Sequence, residues 1–380
     1  MALSGWQDER SDPNFGQKIL SLNWGLVLII SLTASIGFAM LYSAAGGSLK
    51  PWALQQIVRF AGGAGLMLMI ALVHIRFWLR WSYAIYGVAL ALLVTVEFVG
   101  VTGMGATRWI SLGFFNLQPS ELMKIALILA LARYFHGLSL DDTGRISWLL
   151  PPLALIGLPT LLVLKQPDLG TALLLAAGGS VVMFLAGVRL WKFGIALGLA
   201  MAALPIGWSQ LHDYQKGRIL TFLHPERDPL GAGYHIMQSK IALGSGGMSG
   251  KGFLEGTQSH LNFLPEMRTD FIFTMLAEEL GMVGGLSLLG LYVIILIYAY
   301  IIGFRAHHQF GRLLAVGLAA NFFLYVFINV GMVTGILPVV GVPLPLISYG
   351  GTAMLTLLIG FGLILSVSIH RYAELPRGSA

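Results

Sequence analysis

The chain has 380 residues, of which 56% are hydrophobic and only 11% charged, with a mean hydropathy of +0.79. Soluble chains carry roughly 25% charged residues, so a soluble multidomain protein is excluded and a polytopic helical membrane protein is indicated. The absence of Cys excludes disulfides, thiolate metal sites and a cysteine nucleophile, and the net charge of +6 is scattered along the loops, which speaks against nucleic acid as a partner.

The opening residues 1–20 form a charged tail with no signal-peptide pattern. A helix needs ~20 apolar residues to cross the hydrocarbon core. Ten stretches qualify: 21–45, 53–74, 80–101, 119–136, 147–164, 167–187, 190–209, 270–303, 311–334 and 345–369. The expected fold is all-α: a polytopic membrane protein with ten transmembrane helices, one domain over 1–380, and one large extracytoplasmic loop at 210–269.

Lys and Arg in short loops set the orientation. With the N-terminus inside, the inner side holds Arg10, Lys18, Arg76, Arg80, Arg133, Arg145, Arg189, Lys192, Arg305, Arg312, Arg371 and Arg377. The short outer loops hold Lys50, Arg108 and Lys165 alone. Both termini are therefore expected in the cytoplasm. The loop 210–269 lies outside, and loops that long usually have a function of their own.

Ionised side chains within spans are costly and mark function. Glu121 and Lys124 lie three apart, so they share a helix face and can pair. They either neutralise each other or form a polar site near the outer end. Arg108, in Gly105-Ala106-Thr107-Arg108-Trp109, is an interfacial anchor or a phosphate clamp. Asp168 opens a span, where an acid complements the helix dipole. Glu97 and Arg59 have no obvious sequence partner and read as buried structural polars.

Asp270 ends the long loop and starts a span, next to Arg268. One reading makes it a helix cap. The other makes it a general base at the outer surface, roofed by the loop. The glycine-rich run Gly244–Gly252 fails the phosphate-loop pattern, because Ser245 and Gly252 stand where Gly and Ser or Thr are needed. A backbone anion nest remains as a reading of that run. His212, His224, His235 and His260 have no metal-site spacing, and His307-His308 reads as an ordinary cytoplasmic turn.

Several longer motifs carry a resemblance. Pro225-Glu226-Arg227-Asp228-Pro229-Leu230-Gly231-Ala232-Gly233-Tyr234-His235, Gln238-Ser239-Lys240-Ile241-Ala242, Gly256-Thr257-Gln258-Ser259, Thr269-Asp270-Phe271-Ile272-Phe273 and Pro345-Leu346-Ile347-Ser348-Tyr349-Gly350-Gly351 resemble the SEDS proteins. The resemblance covers nearly the whole chain after about residue 20. The run Gly335–Pro343 leans toward the elongation-specific branch rather than the division-specific one.

The resemblance implies ten spans and a peptidoglycan glycosyltransferase in the bacterial cytoplasmic membrane, acting on lipid II and the nascent glycan strand at the outer face. It implies a class B penicillin-binding protein and the elongation machinery as partners. It places the catalytic carboxylate at Asp270 and links Glu121 and Lys124 to activity. The expected mechanism has Asp270 deprotonate an acceptor hydroxyl while cations hold the departing pyrophosphate. Arg108, Lys124, Lys240 and Arg268 are the candidates for that clamp, with Glu121 and Asp168 beside it. No cofactor is required. A divalent cation at the pyrophosphate is left open, with no ligand spacing that demands it. The uncharged segment 335–347 and the last spans are the expected partner contact. The alternatives are a lipid II flippase, with Glu97, Arg59 and the Glu121–Lys124 pair along its path, and a non-catalytic scaffold.

Overall fold

The computed structural model describes residues 14–103, 106–111, 113, 116–139, 142–210, 216–217, 220–222, 224, 232–257 and 267–376. The motif residues 225–231 and 258–259, together with His212 and His260, lie outside the described residues. Twelve α-helices are described: α1 Phe15–Leu20, α2 Trp24–Ala44, α3 Trp52–Leu72, α4 Ile75–Val99, α5 Pro119–His136, α6 Leu150–Lys165, α7 Leu169–Leu185, α8 Leu190–Gln210, α9 Ala232–Ser245, α10 Ile272–Arg305, α11 Gln309–Val333 and α12 Gly351–Ile369.

Seven segments among the described residues are long and apolar enough to cross a membrane: α2, α3, α4, Ser147–Lys165, α10, α11 and α12. Helix α7 and the part of α8 from Leu190 to Ala203 are apolar but shorter. The expectation of an all-α chain needs one correction. A small antiparallel sheet of β1 Val101–Gly103, β2 Ala106–Ser111 and β3 Asn116–Leu117 joins α4 to α5. Its backbone groups pair across the ladders Val101↔Trp109 and Ile110↔Leu117, so a non-helical link is satisfied without helix.

Helices α5, α11 and α12 form the inner part of the bundle, and α5 is buried on nearly every face. Small residues permit the closest contacts. A Cβ on Gly63 of α3 would meet Leu358 of α12 at 2.5 Å, and one on Gly362 would meet the Met67 carbonyl at 2.7 Å.

Helix α10 is broken at Gly281, which has φ 67° and ψ −165°. The break frees backbone groups that must find partners. The glycine-rich run supplies them. Lys251 N and Gly252 N donate to the carbonyls of Glu278 and Glu279 at 3.0 Å, while Met282 N and Val283 N donate to Gly247 and Met248. A Cβ at Gly246 or Gly250 would lie about 2 Å from the α10 carbonyls of Ala277 and Glu279, so glycine is required there. The nest reading of this run is thus corrected: these amides bind the protein's own helix. The adjacent acids are satisfied too. Glu278 accepts from Lys251 at 2.7 Å and Glu279 from Ser43 at 2.5 Å.

At the opposite end of α10, His308 is the N-cap of α11. Its Nδ1 accepts from Gly311 N at 2.8 Å, and its Nε2 lies 3.2 Å from the His370 carbonyl. Burial, with His136 and His307 nearby, lowers its pKa to about 4. A neutral ring is therefore what the fold needs. The unfolded chain takes up this proton near pH 6.5 and the folded one only near 4, so the stabilisation is complete above 6.5 and is lost as pH falls from there to about 4. We expect thermal unfolding of the purified protein to show that decline, worth at most ~3 kcal/mol. His308→Asn, which keeps a cap, should flatten it. An equally steep decline in the variant would assign the effect to other groups.

Candidate functional site

Asp270 lies in the turn that precedes α10. The N-cap of that helix is Phe271, and no side chain caps it. The capping explanation for Asp270 therefore fails, and its half-buried carboxyl sits beside Gly341, whose added Cβ would lie 3.5 Å from Oδ2.

The backbone under Asp270 is held by an irregular segment, residues 335–350, between α11 and α12. Asn329 Nδ2 donates both to the Asp270 carbonyl, at 2.9 Å, and to the Val342 carbonyl, at 2.7 Å. Ser348 Oγ donates to the Thr269 carbonyl at 2.5 Å, and Tyr349 N donates to the Arg268 carbonyl at 2.8 Å. The three consecutive carbonyls of 268–270 are thus each fixed. The segment is anchored in turn. Tyr292 Oη donates to the Pro345 carbonyl at 2.6 Å, and Gln56 Nε2 to the Ser348 carbonyl at 3.0 Å. Within 335–347, expected to serve a partner, Val342 and residues 344–347 are buried in this internal packing, while Ile336 and Gly341 are exposed.

Glu121 and Lys124 do pair, at 2.7 Å, and both are buried. The sequence reading missed their third member. Tyr325 of α11 donates to Glu121 Oε2 at 2.6 Å and accepts from Lys124 Nζ. The cavity beside them, lined by Glu121, Asn321, Tyr325 and Thr356, measures only ≈20 Å³. The missed signal was in the sequence: Asn321, Tyr325 and Asn329 recur every four residues in the apolar α11, which puts three polar groups on one helix face.

Asp168 is the N-cap of α7 and accepts from Thr171 N at 3.2 Å and Thr171 Oγ1 at 2.8 Å. Arg108 Nε stands 3.5 Å from Asp168 Oδ2, and Nη2 donates to the Pro167 carbonyl at 3.3 Å. The start of α7 touches the same irregular segment, because a Cβ on Gly170 would meet the Val340 carbonyl at 2.8 Å. Lys240, exposed on α9, lies against Gly335, and Arg268 stacks over Trp52 with 5.0 Å to the ring centroid. The structure thus gathers Asp270, Arg268, Lys240 and the Arg108–Asp168 pair around segment 335–350. Glu121 and Lys124 join this group only through α11.

The remaining intramembrane charges are accounted for. Glu97, expected to lack a partner, has Lys165 at 3.7 Å, and Arg59 stacks on Tyr349 at 4.8 Å. Among the described residues no group of three or more His, Asp or Glu is arranged to hold a metal.

Three comparisons bear on this arrangement. The family model described as "Cell cycle protein", covering FtsW, RodA and SpoVE, matches residues 18–373. The peptidoglycan glycosyltransferase MrdB of Escherichia coli (strain K12) is 47% identical over 350 residues, spanning 91% of this chain and 93% of the relative. A chain of a solved peptidoglycan synthase complex, described as coordinating polymerization and crosslinking, superposes with a TM-score of 0.80 at 33% identity, covering 93% of this chain and 100% of its own. The crystal structure of the Rod shape determining protein RodA of Thermus thermophilus gives 0.72 at 30% identity, covering 95% and 100%.

Asn329 braces the site from α11. Asn329→Ala removes one donor from two carbonyls at once, and each unsatisfied buried group costs about 1–3 kcal/mol. The variant should unfold several degrees below the wild type and lose activity beyond what its stability loss explains. An unchanged unfolding midpoint would remove Asn329 from that role.

Proposed function

The chain belongs to the family of FtsW, RodA and SpoVE cell cycle proteins and is a peptidoglycan glycosyltransferase, and we propose that Asp270 is the general base with which it works. The observation that carries this is the placement of Asp270. It is a half-buried carboxylate that caps no helix, on a turn whose carbonyls are braced from α11 and from segment 335–350.

The substrate is lipid II, and the partner is a penicillin-binding protein that crosslinks the product. Asp270 takes the proton of the acceptor sugar's 4-hydroxyl. That oxygen attacks the anomeric carbon of the lipid-linked donor, the carbon–oxygen bond to undecaprenyl pyrophosphate breaks, and a β-1,4 link forms with inversion. Pyrophosphate leaves as an anion, so one base suffices where cations receive it. Arg268, two residues before Asp270, and Lys240, against Gly335 of the same segment, form one part of that clamp. Arg108, held by Asp168, forms a second edge. Lys124 is closed by Glu121 and Tyr325, so this pair supports the site rather than touching the pyrophosphate. The flippase reading loses ground, because Glu121, Glu97 and Arg59 are each engaged by another side chain.

We further propose ten spans in one domain of the bacterial cytoplasmic membrane, with residues 1–20 and the C-terminus inside and the loop 210–269 outside. The cation asymmetry supports this. In intact cells an impermeant thiol reagent should label Met248→Cys and spare Arg145→Cys, two exposed positions in this cysteine-free chain. The reverse pattern would invert the topology and place Asp270 on the wrong side.

The decisive test of the base is Asp270→Asn. Shape and backbone bracing are kept, so folding and partner binding should persist. Loss of a general base costs ~10²–10⁴ in rate, so glycan synthesis from lipid II by the protein with its partner should fall to near background. A stable Asp270→Asn protein with full activity would sink the assignment. In the same assay, Glu121→Gln with Lys124→Met separates support from clamp. A supporting pair predicts that the double variant retains more activity than either single one, because a lone buried charge is worse than none. Equal inactivation of all three would return Lys124 to the clamp.

A further inference from the structure

The second site lies at the end of the bundle opposite Asp270. Helix α10 starts just after Asp270 and ends at Arg305, so its two ends lie on opposite faces. Beside Arg305 is a cavity of ≈420 Å³ lined by Phe304, Arg305, Ala306, His307, Arg371 and Tyr372. It is built from the C-terminal ends of α10 and of α12, and the two turns are tied by His307 N donating to the Arg371 carbonyl at 3.0 Å. Arg371 stacks on Tyr372 with 4.6 Å to the ring centroid, and the Tyr372 ring lies 4.8 Å from that of His307.

Two arginines therefore line one cavity. Among the described residues no carboxylate lies within ion-pairing distance of either. Glu374 lines an adjoining cavity with His307 and Tyr372, and its backbone carbonyl accepts from Arg76. Cations at helix C-termini are favoured by the dipole, and that accounts for each arginine separately. It does not account for their convergence on one open, polar space without a counter-charge.

We infer that this cavity binds the phosphodiester headgroup of an anionic phospholipid. Arginine forks match phosphate oxygens in paired hydrogen bonds, and basic pockets between helix ends are suited to such headgroups. The neighbouring surface selects a lipid over a soluble anion. Phe304, at the cavity edge, is 72% exposed, and Ile301 and Ile297 follow it on the same face of α10, also exposed. They form an apolar track from the cavity along the helix for acyl chains. Tyr372, half exposed, places an amphipathic ring at the junction, where such rings concentrate. The site is separate from the catalytic reading, and its failure would leave Asp270 untouched.

The test uses the full chain in detergent, titrated separately with phosphatidylglycerol, phosphatidylcholine and inorganic phosphate. Retained lipid is read by native mass spectrometry and stability by thermal unfolding. Wild type should retain phosphatidylglycerol in preference to phosphatidylcholine and unfold at a higher temperature with it. Arg305→Gln, which leaves the Arg371–Tyr372 stack intact, should weaken that retention about fivefold, the worth of one arginine near an anionic headgroup. Arg145→Gln, an exposed arginine elsewhere, should not. Should Arg305→Gln fail to fold, Arg371→Gln on the other helix end carries the same comparison. Equal retention of both lipids by wild type overturns the inference. So does unchanged retention in the arginine variant, or equal stabilisation by inorganic phosphate alone, which would make the occupant a soluble anion.

Discussion

The architecture rests on one constraint: in the non-helical segment 335–350, the backbone from Val342 to Ser348 is mostly buried within a helical bundle, where it needs partners from the protein itself. Each unpaired buried carbonyl or amide there would cost several kcal/mol. The protein meets this with fixed side chains: Asn329 of α11, Gln56 of α3 and Tyr292 of α10 donate to its carbonyls, and Ser348 Oγ, within the segment, accepts from Leu344 N. Two of these side chains, Asn329 and Ser348, also donate to the carbonyls of Asp270 and Thr269. Satisfying the irregular segment and positioning the carboxylate are thus the same set of hydrogen bonds.

The same physics recurs eleven residues further along, where α10 breaks at Gly281. There the glycine-rich run 244–252 donates and accepts in place of the lost helical bonds. Helix α9, which runs directly into that stretch, is held at Ser239 by hydrogen bonds to Thr274 and to the Val333 carbonyl. The turn bearing Asp270 is therefore bounded by two irregular segments, each closed onto a helix. A carboxylate on a free backbone would lose its orientation; here the carbonyls of 268–270 are each held, which suits a base that must meet a hydroxyl at hydrogen-bond distance.

Much of this was legible in the sequence, and the gaps have physical causes. Helices were visible because apolar runs of ~20 residues have few other uses. Asp270 stood out as a charge at a span's start. The pairing of Glu121 with Lys124 followed from their spacing, and the capping by Asp168 from its place before a helix. Tyr325 and Asn329 were missed because tyrosine and asparagine in an apolar helix carry no charge to draw notice. Their partners lie 204 residues away for Tyr325 and Glu121 and 59 away for Asn329 and Asp270, separations that periodicity alone cannot pair. The short sheet at 101–117 was hidden for a different reason: two of its three strands have only three and two residues, below the length at which alternation is readable. The glycine-rich run was misread because glycine serves equally to bind an anion or to admit a neighbouring backbone, and only the close carbonyls of Ala277 and Glu279 decide between them.

These observations arrange the candidate site as a chain of dependence rather than a ring of equal residues. Lys124 and Glu121 are buried and closed on each other through Tyr325, so reaching a substrate would require breaking a desolvated pair, which is costly. What the pair does at no such cost is lock α5 to α11. One turn along α11 from Tyr325, Asn329 holds the Asp270 carbonyl. The acid and lysine on α5 thus act on the carboxylate through the register of α11. Removing the pair's charge while keeping its shape should therefore disturb Asp270 less than removing the hydrogen bonds of Asn329. On this reading the polar residues of the inner helices exist to hold one turn of backbone at the membrane surface, and the chemistry is left to Asp270 and to the cations beside it.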